Sequence, residues 1–193
     1  MVDDVVSLAP AGCQWNNPLL VVPKPGGNIR VCLDPRPLNK LLISGDNFPI
    51  PVISDILDLF AGAVIFSALD LKSGYNQFTI NEADRPKLAF TWNGVQYMFK
   101  GAPFGVTHLS SVFQRVVSAA FAGVSFVVIY IDNIYIFSAS AELHEKHIRC
   151  VFEVLNKISL RLNFAVSSFS TRAGCTGAYC VCSRRTGGPL KAY

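Results

Sequence analysis

The chain has 193 residues, of which 51% are hydrophobic and 16% charged, with a formal net charge of +4. That length and apolar share suit one globular domain, or two closely packed subdomains, and exclude a disordered polypeptide. No unbroken apolar stretch approaches the roughly 20 residues needed to span a bilayer, and the mild charge does not by itself point to a nucleic-acid partner.

The acidic start Met1-Val2-Asp3-Asp4 lacks the basic and apolar segments of a secretory signal, which predicts an intracellular protein, cytoplasmic or nuclear. Residues 17–23 read as a strand ended by Pro23. Lys24-Pro25-Gly26-Gly27-Asn28 is a turn into a second strand over residues 29–33, giving a hairpin with a basic, glycine-rich tip. Residues 52–60 carry apolar side chains at three- and four-residue intervals and predict a short amphipathic helix. Val64 to Leu69 reads as a buried strand that delivers Asp70 at its end.

Strands are then expected over residues 75–80, 87–92 and 96–99, with Asn93-Gly94 as a hairpin turn between the last two. Residues 110–121 predict a helix with Val112, Phe113, Val116, Val117 and Ala120 on one face. Residues 125–137 form an apolar, β-branched and aromatic run interrupted only by Asp132 and Asn133, the pattern of two buried strands meeting at a polar turn. A second long helix is expected over residues 141–158, with His144 and His147 on its solvated face. From Val166 onward neither periodicity is present, so residues 166–193 are expected to be irregular. The six cysteines lack paired metal-ligand spacing and are expected to be free thiols. Interleaved strands and helices indicate an α+β fold.

Asp70 and Asp132 each end an apolar strand, about sixty residues apart. Converging carboxylates would suit magnesium, which binds few carboxylates together with water and substrate phosphates, and so would suit nucleotidyl transfer. Each Asp could equally cap a helix or bind backbone amides in a turn.

The ordered motifs decide between these readings. Val21-Val22-Pro23-Lys24, the block from Arg30 to Lys40, Phe66-Ser67-Ala68-Leu69-Asp70 continuing to Gln77, Lys87-Leu88-Ala89-Phe90, Met98 to Thr107, Phe113-Gln114-Arg115 and Tyr130-Ile131-Asp132-Asn133 occur in sequence order. In this the chain resembles the reverse transcriptase domain of gypsy-type LTR retrotransposons, over roughly residues 15–164. The resemblance implies fingers and palm subdomains with an antiparallel palm sheet backed by helices, in a domain over residues 15–165. A lead-in over residues 1–14 and a diverged tail over 166–193 flank it.

The resemblance further implies an RNA-directed DNA polymerase working on an RNA or DNA template with primer and on deoxynucleoside triphosphates, away from membranes. Asp70, Asp132 and Asn133 would hold Mg²⁺, or Mn²⁺ in its place. Lys24 and Arg30 would meet the triphosphate, Tyr75 would gate the sugar, Phe104 and Gly105 would line the nucleotide pocket, and Gln114 would lie near the template. Without the resemblance, Tyr75 reads as a core tyrosine and Lys24 with Arg30 as a solvated basic hairpin. Asp34 and Arg36 match the family too, as an ion pair or local hydrogen bonding that fixes the fingers.

Three departures stand beside these matches. Asn133 replaces a second aspartate, His108-Leu109-Ser110-Ser111 stands where the family usually has Asn-Ala-Pro-Ala, and the primer-holding pattern beyond Ala165 is not followed. The sequence therefore supports two readings, a reverse transcriptase domain or an inactive retroelement relic retained as a nucleic-acid-binding or interaction module. A frameshift, altered splicing or decay near residue 166 is the expected origin of the divergent tail.

Overall fold

The structure, a computed structural model, describes residues 5–23, 27, 29–42, 45–172, 174–175 and 180–181. For residues 30, 171, 172, 174, 175, 180 and 181 it describes the backbone alone. In chain order the first elements are β1 (Val6–Leu8), β2 (Leu19–Pro23), β3 (Ile29–Leu33), α1 (Arg36–Asn39), α2 (Ile53–Leu59) and β4 (Ile65–Asp70). Next come β5 (Ala89–Trp92), β6 (Val95–Phe99), α3 (Leu109–Ala120), β7 (Val127–Tyr130) and β8 (Asn133–Ser138). The series ends with α4 (Ala141–Lys157), β9 (Ser168–Arg172), β10 (Gly174–Cys175) and β11 (Cys180–Val181). These elements form two compact units, Met1–Asn47 with Ser73–Phe113, and Phe48–Lys72 with Gln114–Tyr193.

The first unit contains an antiparallel sheet in the order β1-β6-β5 and the separate β2-β3 hairpin. β1 lies inside the predicted lead-in and pairs with β6 from Val6↔Phe99 to Leu8↔Tyr97. Asn93 and Gly94 turn β5 into β6 with φ of 48° and 75°, the double left-handed geometry of a two-residue hairpin loop, which Asn-Gly adopts with little strain. Leu33, Leu38, Leu88 and Phe90 make the core, with Trp15, Leu19 and Tyr97 packed against it. Asn17 ties the chain to this core by donating from Nδ2 to the carbonyls of Lys87 and Ala89, both at 2.9 Å. The Asp34 carboxylate, buried, accepts Nε and Nη2 of Arg36, with Nη2 to Oδ2 at 2.6 Å, so these two residues form the expected ion pair.

Two expected strands differ in this unit. Residues 74–77 form a 3-10 turn, entered through Ser73 at φ 50°, and the neighbouring extended chain is reduced to a bridge between Thr79 and Gly101. Pro86 lies in a second 3-10 turn, Arg85–Leu88, so β5 begins only at Ala89. The missing proline N–H suits a turn start and not a ladder.

The second unit is built on an antiparallel sheet in the order β7-β8-β4-β9. Alternation in β8 buries Ile134, Ile136 and Ser138, while Phe60, at the end of α2, meets Phe66, Tyr135 and Phe137 with ring centroids 5.2–6.2 Å apart. Ser140 caps α4 by accepting the Leu143 N–H, and Val151 and Leu155 are buried. His144 was expected on the solvated face but is 1% exposed. Its Nε2 meets Ser67 Oγ of β4 and its Nδ1 meets Ser138 Oγ of β8, both at 2.8 Å, so α4 is bolted to the sheet through a polar contact.

Residues 168–172, expected to be irregular, form β9 beside β4, with Ser170 N–H donating to Ser67 Oγ at 3.0 Å. A backbone N–H bonded to a buried serine hydroxyl holds this strand where the apolar alternation that usually marks a strand is lacking. Cys13, Cys32 and Cys150 are free thiols. Among the described residues no helix is long and apolar enough to cross a membrane.

Candidate active site

Asp70 is the last residue of β4 and lies directly opposite Asn133, the first of β8. Tyr130 pairs with Asn133 in turn, which leaves Ile131 and Asp132 as a two-residue loop at the end of the β7-β8 hairpin. Directly opposed residues in an antiparallel pair have Cβ atoms about 5 Å apart. The register alone therefore brings together the acid of one strand, the amide of its partner and the acid of the loop.

The backbone around Asp70 is held on both sides. Leu71 donates its N–H to the Asp132 carbonyl at 3.1 Å, Asn163 donates to the Asp70 carbonyl at 2.8 Å, and Asp70 N–H donates to Ser167 Oγ at 3.1 Å. Ser167 in turn donates to the Asn163 carbonyl at 2.8 Å. The segment just past α4 thus keeps the end of β4 straight where it delivers the carboxylate.

The loop is strained. Ile131 adopts φ 56°, a left-handed conformation that a β-branched residue rarely takes, at about 1–3 kcal/mol. Gln114 of α3 supports it. This side chain is 1% exposed, donates from Nε2 to the Ile129 carbonyl at 2.8 Å, and accepts the Ile131 N–H on Oε1 at 3.0 Å. Expected near the template, Gln114 is in this unit a buried brace of the acid-bearing hairpin. A polar residue between Phe113 and Val117, both fully buried, was the available signal; Val116, expected on the apolar face, is 42% exposed.

Asn133 Nδ2 points at Asp132 Oδ1 over 3.4 Å, a long contact in which the amide offers a weak donor to the carboxylate. Among the described residues no three His, Cys, Asp or Glu side chains gather to hold a metal. The local donor set is two carboxylates and one amide, all able to present hard oxygens. That fits magnesium, which takes few carboxylates and completes its shell with water and phosphate oxygens.

The other expected residues that the structure describes lie in the first unit. Tyr75, in the 3-10 turn, is buried, with its ring edge-on to Phe104 and to Phe113 at 5.1 Å each. Gly105 adopts φ +92°, and a Cβ there would meet Pro35 at 3.1 Å, so glycine answers both the conformation and the close approach. Asn39 fixes the same segment by donating to the Gly105 carbonyl at 2.9 Å and accepting the Thr107 N–H at 3.0 Å. Arg30 is in β3 opposite Val22, and Lys24 lies outside the described residues.

A hairpin with a carboxylate at its tip, paired beside a strand that ends in a second carboxylate and backed by helices, defines a palm of the nucleic-acid polymerase class. The chain belongs to the reverse transcriptase (RNA-dependent DNA polymerase) family, whose model matches residues 22–176. It is 36% identical over 166 residues to the retrovirus-related Pol polyprotein from transposon gypsy of Drosophila melanogaster, covering 81% of this chain and 16% of that polyprotein. It is 34% identical over 154 residues to the transposon Tf2-7 polyprotein of Schizosaccharomyces pombe, covering 79% of this chain and 12% of the relative. The foamy viral protease-reverse transcriptase solved in complex with double-stranded DNA superposes with a TM-score of 0.76 at 26% identity, over 86% of this chain and 29% of that one. The chain therefore spans only a small part of the length of the relatives it matches, and the second unit, with β7-β8-β4-β9, carries the palm sheet.

Proposed function

We propose that this chain is the fingers and palm portion, centred on residues 15–165, of an RNA-directed DNA polymerase that extends a primer 3′-hydroxyl on an RNA or DNA template. The observation that carries the proposal is the β4-β8 register, which sets Asp70 opposite Asn133 and beside the braced loop holding Asp132. Magnesium bound there would offset phosphate charge and favour the deprotonated form of the attacking hydroxyl. Asp70 and Asp132 supply the anionic oxygens, and Asn133 adds a neutral one. Gln114 keeps the loop in its strained form, so that Asp132 keeps its place through the reaction. Lys24 and Arg30 bring positive charge toward the triphosphate of the incoming nucleotide, where charge accumulates on the leaving pyrophosphate.

Tyr75 acts as the gate beside the sugar, since an immobile ring crowds a 2′-hydroxyl, the group that separates ribose from deoxyribose. Phe104 and Gly105 complete this wall of the pocket. A second reading, an inactive module that binds nucleic acid without extending it, is favoured by Asn133, which removes one formal negative charge from the site. Primer extension on an RNA template with magnesium or manganese separates the two. Activity abolished by Asp70→Asn supports the polymerase, and activity appearing only in Asn133→Asp assigns the defect to the missing charge. Template binding with no extension by either the parent chain or Asn133→Asp favours the binding module.

A further inference from the structure

Tyr75 is 7% exposed, and its hydroxyl lies 2.9 Å from Ser110 Oγ in the first turns of α3. Phe104 and Phe113 meet the ring edge-on with interplanar angles of 71° and 84°. Two edge contacts fix the plane of a ring, but they are weakly directional along the axis from Cα to the hydroxyl. A hydrogen bond at the far end supplies that missing restraint, because it weakens steeply with distance and angle. Ser110 stands where the resembled family usually has proline, and a proline side chain offers no hydroxyl to this ring.

We infer that Ser110 is a positioning residue that anchors the hydroxyl end of Tyr75 and thereby sets how strongly the nucleotide pocket rejects ribonucleotides. The inference rests on the gate reading of Tyr75 given above. Steric rejection of a 2′-hydroxyl depends on where the ring face stands, so a ring released at one end retreats and discrimination falls. The effect is on the choice between sugars and not on the transfer step.

The test is a double-mutant cycle on the full chain, read in two ways. In primer extension, in the Asn133→Asp background if the parent is inactive, Ser110→Ala lowers the ratio of kcat/KM for a deoxynucleotide over its ribonucleotide about three- to tenfold, the range expected for losing one neutral hydrogen bond. Tyr75→Phe lowers it similarly, Ser110→Ala adds nothing in the Tyr75→Phe chain, and Ser110→Thr retains the parental ratio. Thermal unfolding of the same set reads the contact without needing catalysis, and the two single substitutions are expected to be non-additive. Additive unfolding effects overturn the contact. Coupled unfolding with an unchanged nucleotide ratio overturns the specificity role while leaving the polymerase reading intact. Coupled unfolding with no extension by any chain shows that the gate reading itself has failed, and the specificity role falls with it.

Discussion

Ile131 donates its backbone N–H to Gln114 Oε1 at 3.0 Å, joining the middle of α3 to the left-handed residue of the acid-bearing loop. Gln114 Nε2 donates to the Ile129 carbonyl at 2.8 Å, so one side chain satisfies a donor and an acceptor across the bend. Neither apolar packing nor a carboxylate could do both. The placement of Asp132 thus depends on a residue that need not touch substrate.

Gln114→Leu should leave the Ile131 N–H and the Ile129 carbonyl without these partners, at about 1–3 kcal/mol for each buried group left unpaired. Gln114→Glu keeps an acceptor for Ile131 but buries a carboxylate against the Ile129 carbonyl, and should cost at least as much. Hydrogen exchange is the direct measurement. The Ile131 amide should exchange much faster in Gln114→Leu while the amides of β4 stay protected, and an unchanged Ile131 rate would show that the brace is unnecessary.

The hairpin of residues 125–137 was legible because its apolar run tolerates polar residues only at the bend, and there Asp132 and Asn133 stand. The motif order then named the candidate residues, and the β4-β8 register brought Asp70 and Asn133 opposite one another. The bracing role of Gln114 and the burial of His144 were not legible, since each is a polar residue on a helix whose partners lie elsewhere in the chain. His144 is satisfied by Ser67, 77 positions away, and Ser67 is also what pins β9. The 3-10 turn at Tyr75 escaped for a different reason. Its aromatic and polar residues favour a strand locally, and the left-handed Ser73 overrides that preference.

Asn133→Asp should make stability depend more steeply on magnesium. In the parent chain the Asn133 amide approaches Asp132 as a donor at 3.4 Å. A carboxylate there sets two like charges side by side, worth from ~1 kcal/mol in water to ~4 kcal/mol at an intermediate dielectric for a 4 Å separation. Thermal unfolding in chelator should therefore show Asn133→Asp below the parent, with magnesium raising the variant more than the parent. Equal magnesium responses would place the side chain at 133 outside any ion site.

Acid should weaken the palm through His144. Burial, and secondarily the neighbouring His147, hold its pKa below the ordinary 6.5. His147 is lowered as well, by burial, and stacks on Phe126 with centroids 3.6 Å apart. The folded chain then binds fewer protons than the unfolded chain once the pH drops past about 6.5, so stability is full above that value and falls below it. Each histidine kept neutral adds a slope approaching ~1.4 kcal/mol per pH unit. Urea unfolding between pH 8 and 5 should show this decline, and His144→Asn should flatten it by about one proton. A parental slope in His144→Asn would locate the pH dependence elsewhere.

Gly101→Ala should be among the most damaging single-methyl additions in the first unit. Gly101 is buried and forms the bridge with Thr79, and a Cβ at this position would run into the backbone carbonyl of Asn76. Backbone cannot swing aside as a flexible side chain does, so the 3-10 turn must move, and overpacking of this kind costs about 1–3 kcal/mol or more. Asn76 adjoins Tyr75, whose ring is wedged between Phe104 and Phe113. The displacement should consequently reach the proposed gate. Denaturant unfolding should show the loss of stability, and nucleotide selection in primer extension should deteriorate with it. If Gly101→Ala left stability and nucleotide selection at the parental level, the close approach to Asn76 would not be a constraint on this turn.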